Sequence, residues 1–194
     1  MTPFAPAFFF PAPREQRYCS QCGQAVVRSI PPGDNRLRDL CEGCGAIHYQ
    51  NPRIVVGAVP VWNGQVLLCR RAIEPRYDTW TLPAGFMELA ETTRAGAARE
   101  TLEEAGAHVR IGALYTVIDI PQADQVHFFF LAEADSPALD PGPESLEARY
   151  FSLDEIPWPA LSFRSVVQTL EHFVRDRTTG VFPTRHLALE WPAA

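Results

Sequence analysis

Gly85 to Ala107 reads GFMELAETTRAGAARETLEEAGA, and the interpretation of this stretch decides the rest. Its second half has helix-forming composition, and Gly106 stands where a helix end calls for a left-handed residue. Within a helix over Thr93–Glu104, Glu100, Glu103 and Glu104 fall at i, i+3 and i+4, on one face. Three like charges so close repel one another, so the helix gains nothing from them unless a cation intervenes. Mg²⁺ takes oxygen ligands and would convert that repulsion into coordination. On composition alone, a solvated acidic face is the commoner explanation of such a cluster. Arg99, just before it, can orient a glutamate through charge-assisted hydrogen bonds. Ala95, Gly96, Ala97 and Ala98 are small enough to let the helix lie close to a sheet.

Outward from this segment, apolar runs alternate with helical patterns, as in a mixed α/β domain. Ile54–Val61 and Gln65–Cys69 read as strands joined by an Asn63-Gly64 hairpin turn. Leu114–Asp119, Val126–Leu131 and Arg149–Phe151 read as further strands, and Ser136–Ser145 as a Pro/Gly-rich loop. Ser162–Arg175 reads as a second helix, with apolar positions at Phe163, Val166, Val167, Leu170 and Phe173.

The register Gly85, Glu91, Arg99-Glu100, Glu103-Glu104 and Gly106 resembles the complete signature of the Nudix hydrolase family. That signature is Gly, five residues, Glu, seven residues, Arg-Glu, an aliphatic residue, any residue, Glu-Glu, any residue, Gly. Every fixed position is filled, and Thr101 stands where an aliphatic residue is usual. The resemblance implies an α/β fold, the Nudix α/β/α sandwich with a mixed sheet, and hydrolysis of a nucleoside diphosphate linked to another group. It implies Glu100, Glu103 and Glu104 as ligands of a catalytic Mg²⁺ or Mn²⁺, with Glu91 as a supporting ligand and Arg99 as the orienting residue. A loop glutamate outside the signature often serves as base or extra ligand in this family. Glu147, at the start of a strand, is the first choice here and Glu144 the second; a solvated charge explains either equally well.

The N-terminal third carries a separate signal. Cys19-Ser-Gln-Cys22 and Cys41-Glu-Gly-Cys44 are two Cys-x-x-Cys pairs separated by 18 residues, the spacing of a four-thiolate zinc site. Four sulfurs fill the tetrahedral sphere of Zn²⁺, so the site is expected to be structural. His48 is a substitute ligand in reserve, and redox chemistry is the rival reading. Cys69, on an apolar strand, is expected to be a small core residue. Three zones follow: a Pro/Phe-rich arm over 1–17, a zinc ribbon over 18–50, and a Nudix domain over 51–194.

The bulk properties narrow the function class. A formal net charge of −6 argues against a dedicated nucleic-acid binder, as do the balanced charges Arg28, Arg36, Arg38, Asp34 and Asp39 of the ribbon. The five cysteines, an odd number, with no secretory signal evident, point to a reducing compartment and a cytoplasmic protein. No apolar run approaches a membrane span.

The family resemblance extends over roughly residues 18–185. Tyr18-Cys-Ser-Gln-Cys-Gly23, Cys44-Gly-Ala-Ile-His-Tyr-Gln-Asn-Pro52, Trp80-Thr-Leu-Pro-Ala-Gly-Phe86, Pro141-Gly-Pro-Glu-Ser-Leu-Glu147 and Asp154-Glu-Ile-Pro157 look like the zinc-ribbon Nudix branch. Better-known members of that branch hydrolyse FAD and ADP-ribose. NADH pyrophosphatases also carry a ribbon, but they have Ser-Gln-Pro-Trp-Pro-Phe-Pro after the Nudix helix. Here that stretch is Ala113-Leu-Tyr-Thr-Val-Ile-Asp-Ile-Pro121. The resemblance therefore implies FAD or ADP-ribose as substrate, with NADH as the alternative. A nucleotide-sensing regulator without turnover and RNA cap removal are the readings from other classes. Arg70 and Arg71 are candidates to neutralise the diphosphate, and Trp80 or Phe86 to stack on a base or flavin, with a core role the competing account of both aromatics. Gln125 and Asp119 lie where relatives shape the substrate site. A homodimer is expected as well, with the arm as added contact surface.

Overall fold

The computed structural model describes residues 15–190. The chain divides between Asn51 and Pro52 into two compact units. Residues 1–14, most of the expected arm, lie outside the described residues.

The smaller unit is a three-stranded antiparallel sheet of β1 (Val27–Ser29), β2 (Arg38–Leu40) and β3 (Ile47–His48). Strands this short bury little, and they were not legible as apolar runs. Two equivalent turns organise the unit. In one, Cys19 N–H donates to Gln24 O and Gly23 N–H to Cys19 O; in the other, Cys41 N–H donates to Ala46 O and Gly45 N–H to Cys41 O. Each turn curls one Cys-x-x-Cys pair so that both of its sulfurs face the same point.

The larger unit is built on a mixed eight-stranded sheet. Its strands are β4 (Arg53–Trp62), β5 (Gln65–Arg71), β6 (Trp80–Thr81), β7 (Ala84–Phe86), β8 (Val109–Ile120), β9 (Gln125–Ala134), β10 (Ser145–Phe151) and β11 (Arg185–Ala188). The main path runs β10-β5-β4-β9-β8-β11, with β4/β9 and β8/β11 parallel and the other neighbours antiparallel. Two helices flank it, α1 (Thr93–Ala105) and α2 (Arg164–Thr179). Alternation assigns the faces. Val56, Phe130 and Ala97 of α1 form one cluster, while Leu67 and Cys69 meet Ala105. On the other face Val59, Val66, Leu68 and Phe129 meet Val166, Leu170 and Phe173 of α2. The larger unit is thus an α/β/α sandwich, and Cys69 is a core residue.

Several elements exceed their expected bounds for identifiable reasons. Strand β8 starts at Val109, not Leu114, because register shifts between Ile111 and Leu114 and between Leu114 and Thr116 break its alternation. The second shift lets consecutive Tyr115 and Thr116 both turn toward α2, where both are fully buried. Strand β10 starts at Ser145, inside the expected loop, and β11 pairs along β8 with few apolar residues of its own. Buried Asp176 fixes that edge: it accepts from Tyr115 Oη at 2.7 Å and from both Arg185 Nη atoms at 2.6 and 2.7 Å. Burial opposes its ionisation, but these donors outweigh burial and hold its carboxyl below the usual range.

One irregularity positions the site. Strands β4 and β5 pair only near their hairpin, at Val61–Val66 and Trp62–Gln65. Beyond it they splay, β7 pairing with β4 at Val55–Gly57 and β6 with β5 at Cys69–Arg70. The segment Leu82-Pro83 crosses the opening, and α1 enters immediately after β7.

Candidate active site

Helix α1 begins on Thr92, whose hydroxyl accepts from Ala95 N–H at 3.1 Å, and ends on Gly106 at φ 65°. Gly96 keeps it close to the sheet: a β-carbon there would stand 2.7 Å from Val56. The helix turns its glutamates into the splay between β5 and β7.

Arg99 is the centre of the cluster. Its Nη1 donates to Glu100 Oε1 at 2.8 Å and Glu103 Oε2 at 2.9 Å, and its Nη2 to Glu91 Oε1 at 2.8 Å. Nε reaches the second Glu91 oxygen at 3.1 Å, and Nη2 also reaches the Phe86 carbonyl at 3.1 Å. One guanidinium thereby ties three signature glutamates to the loop that precedes them. Glu91 also accepts from Glu88 N–H at 2.7 Å. Arg99 first, then that amide, hold its carboxyl below the ordinary range.

The three helix glutamates have different environments. Glu103 is exposed and, among the described residues, is held by Arg99. Glu100 lies against Gly85, where a β-carbon would come within 2.3 Å of Oε1. Burial pushes its carboxyl above the usual range despite Arg99. Glu104 is the most enclosed, accepting from Ala84 N–H at 3.2 Å. Burial, reinforced by the charge of Glu100, pushes it up to about 8. Carboxylates withdrawn from water, with the charge of one acting on the other, suit a hard divalent cation, which prefers oxygen donors. The donor set therefore fits Mg²⁺ or Mn²⁺.

Glu144 acts electrostatically on Glu100, Glu104 and Arg71. Its backbone carbonyl accepts from Ala72 N–H at 2.8 Å, which anchors the Pro/Gly-rich loop at this spot. Glu147 instead pairs with Arg70 at 3.2 Å, its register partner across β5–β10. Sequence position favoured Glu147; tertiary placement brings Glu144 to the glutamates.

The two arginines also separate. Arg70 is engaged by Asp78 at 2.8 Å as well as by Glu147. Arg71 donates to Pro75 O at 3.0 Å, and its guanidinium sits 5.1 Å from the Phe163 ring centre. Burial lowers its pKa, against the opposing charge of Glu104 and Glu144. Trp80, partly buried against the main core, packs edge-on to Phe151 at 4.8 Å, the packing account that competes with a stacking role. Phe86 is 45 % exposed and carries Arg53 over its ring at 4.6 Å. Sequence reading missed Arg53, and its place at the start of a strand carried no signal of that contact. Gln125 is held by His127, and Asp119 pairs with His186 at 2.8 Å.

In the smaller unit, Sγ atoms of Cys19, Cys22, Cys41 and Cys44 all lie within 4.8 Å of one another. The cysteines are free thiols, and this is the chemistry of a structural zinc site. His48 Nε2 lies 3.3 Å from Cys19 Sγ, as a hydrogen-bond partner of that sulfur.

Comparison with known proteins agrees with both units. The NUDIX domain family model matches residues 51–170, and the Nudix N-terminal zinc ribbon model matches residues 17–50. A Nudix hydrolase from Nitrosomonas europaea is 46 % identical, with a TM-score of 0.87, covering 90 % of this chain and 99 % of that one. An ADP-ribose pyrophosphatase from Streptococcus suis shares the fold at 19 % identity and a TM-score of 0.56, over 70 % of this chain and 99 % of its own. The NAD-capped RNA hydrolase NudC of Shigella flexneri is 30 % identical over 148 residues, 74 % of this chain. The chain spans about half the length of the curated relatives it matches, 54 % in that case. No helix among the described residues is long and apolar enough to cross a membrane.

Proposed function

Because the chain belongs to the Nudix hydrolase family, we propose that it hydrolyses the pyrophosphate bond of a nucleoside-diphosphate-linked substrate, FAD or ADP-ribose, releasing AMP. The observation that carries this is the enclosure of Glu100 and Glu104 beside β7, with Glu100 tied through Arg99 to Glu91 and Glu103. A solvated acidic face would not bury two carboxylates; a nucleotide sensor would not require a metal-binding cluster.

Glu100, Glu103 and Glu104 would hold Mg²⁺ or Mn²⁺, with Glu91 in support. Such an ion, when bound, polarises a phosphoryl oxygen and lowers the pKa of an attacking water. The remaining tasks fall to the chain itself. Arg99 keeps the glutamate oxygens in fixed directions. Arg71, poorly hydrated and backed by Phe163, would meet the diphosphate charge, whereas Arg70 pairs with Asp78 and Glu147. Glu144, whose charge acts on Glu100 and Glu104, would receive the proton of the attacking water; Glu147 is paired with Arg70. Water adds to one phosphorus and the bridging oxygen leaves with the other, so FAD gives AMP and FMN, and ADP-ribose gives AMP and ribose 5-phosphate.

NADH or an NAD-capped RNA end is the second reading, favoured by the 30 % identity to NudC. Against it stands Ala113–Pro121, which lacks the NADH-pyrophosphatase motif. The four cysteines would hold structural Zn²⁺. A cytoplasmic homodimer with a dinucleotide substrate completes the proposal. A panel of FAD, ADP-ribose, NADH and NAD-capped RNA, each with Mg²⁺ and Mn²⁺ and read as kcat/KM, tests it. Highest turnover of FAD or ADP-ribose is expected; preference for NADH or capped RNA selects the second reading, and no hydrolysis of any of them defeats both.

A further inference from the structure

On the α2 side of the sheet, beside the splay, three side chains form a continuous shelf. Gly85 turns toward Glu100 of α1, so Phe86 turns to the opposite face by strand alternation. Phe86 is the register partner of Val55, and Arg53, two residues earlier on the same face, covers its ring. Arg53 is in turn the register partner of Gln125 across the parallel β4–β9 pair. Neighbouring strands are only about 4.8 Å apart, so these side chains are adjacent.

Gln125 is not free to rotate. Its Oε1 lies 2.9 Å from Nε2 of His127, which is buried and two residues further along the same face. His127 Nδ1 lies 3.1 Å from Oγ of Ser165, in the first turn of α2, itself buried. An amide oxygen can only accept, so Nε2 carries the proton and donates to it. Nδ1 then has only a lone pair and accepts the Ser165 hydroxyl proton. With the Gln125 oxygen toward the ring, the chain runs in one sense, from the Ser165 hydroxyl through His127 to the amide oxygen. Among the described residues the Gln125 amide nitrogen has no partner, and both of its N–H groups remain available beside Phe86 and Arg53.

We infer that His127 is a positioning residue that locks Gln125 with its amide donors outward, making the Phe86–Arg53–Gln125 shelf a subsite for the acceptor edge of the substrate's nucleobase. This inference deepens the proposed function and rests on its nucleotide substrate. Phe86 supplies an apolar ring, Arg53 a cation that stacks and carries charge, and Gln125 two donors for ring nitrogens or a carbonyl. A base or analogue that offers only donors at that edge would leave the Gln125 donors unmet, and a buried unmet donor is costly.

The test combines AMP binding by calorimetry with steady-state hydrolysis of ADP-ribose and FAD. Gln125→Glu keeps the bond from His127 Nε2 but replaces the outward donors by an acceptor, and is expected to weaken AMP binding about tenfold or more. His127→Phe is expected to raise KM severalfold with kcat within about twofold. In a Gln125→Ala background the same His127→Phe change should have no further effect on KM, since its action passes through Gln125. Ser165→Ala, a milder change, should shift KM in the same direction and guards against misfolding of the phenylalanine variant. Additive effects of His127 and Gln125, or unchanged AMP affinity in Gln125→Glu, would overturn the inference while leaving hydrolysis intact. Gln125-dependent AMP binding without turnover of any dinucleotide would instead sustain the shelf and defeat the proposed hydrolysis.

Discussion

Gly85 and Glu100 are in mutual contact: a β-carbon on Gly85 would lie 2.3 Å from Glu100 Oε1 and 2.5 Å from Oε2. The glycine is the space in which the carboxylate rests. Any larger residue must displace the far end of the glutamate, which can swing away, rather than the backbone. Gly85→Ala should therefore fold, with Tm lowered by only a few degrees, while kcat falls by about 100-fold or more because the glutamate leaves its productive position. Circular dichroism melting beside kcat on the preferred dinucleotide checks this, and normal turnover in the alanine variant would refute it.

Arg99 serves Glu91, Glu100, Glu103 and the Phe86 carbonyl at once, which needs the planar fork of a guanidinium. Lysine has a single nitrogen and cannot span these partners. Arg99→Lys is expected to retain charge yet lose at least about tenfold in kcat and to need more Mg²⁺ for half-maximal rate. A metal titration that superimposes on wild type would contradict the assigned role.

Glu104 makes the stability of the larger unit depend on pH and metal. Burial, aided by Glu100, raises its carboxyl to about 8 from an ordinary 4.5. Between those values the folded chain keeps a proton that the unfolded chain has lost, so stability declines as pH rises through this window. In EDTA, stability should fall by on the order of a few kcal/mol from pH 5 to pH 9, read as a falling Tm. Excess Mg²⁺ should raise Tm strongly at about pH 9 and little at pH 5, since a cation competes with that proton. Glu104→Gln should flatten both dependences.

Ala90, in the turn between β7 and α1, sits at φ 65°. A left-handed conformation costs a residue with a β-carbon about 1–2 kcal/mol, while glycine's extra freedom when unfolded offsets about half of that. Ala90→Gly is therefore expected to stabilise by about 0.5–1 kcal/mol, a rise of ~1–4 °C in Tm. A lowered Tm would show that the methyl group makes a contact worth more than the strain.

The four sulfurs share one locus within 4.8 Å, and three short strands offer little apolar burial as an alternative source of stability. Cys22→Ser should lower zinc content to well below one ion per chain and release the ribbon to proteolysis. Full zinc retention in that variant, measured by atomic absorption, would shift attention to His48 as a fourth ligand.

Much of this was legible in the sequence because it depends on local spacing. The Gly85–Gly106 register and the two Cys-x-x-Cys pairs are set by helix periodicity and turn geometry, which act over a few residues. Through the resemblance to the Nudix signature they imply an α/β/α hydrolase and the roles of the glutamates and Arg99, and the cysteine spacing points to a zinc ribbon. Proximity between distant segments was not legible, because a strand's neighbours are chosen by packing and register. The splay of β4 from β5 decided that Arg71 faces Glu104 while Arg70 joins Asp78 and Glu147. The course of the loop before β10 brought Glu144, not Glu147, toward the buried carboxylates. The tertiary core claimed Trp80 for Phe151, and the parallel register of β4 with β9 set Arg53 beside Gln125. Chemistry written within one helix could be read from the chain; the walls around it were decided by which strands came to lie side by side.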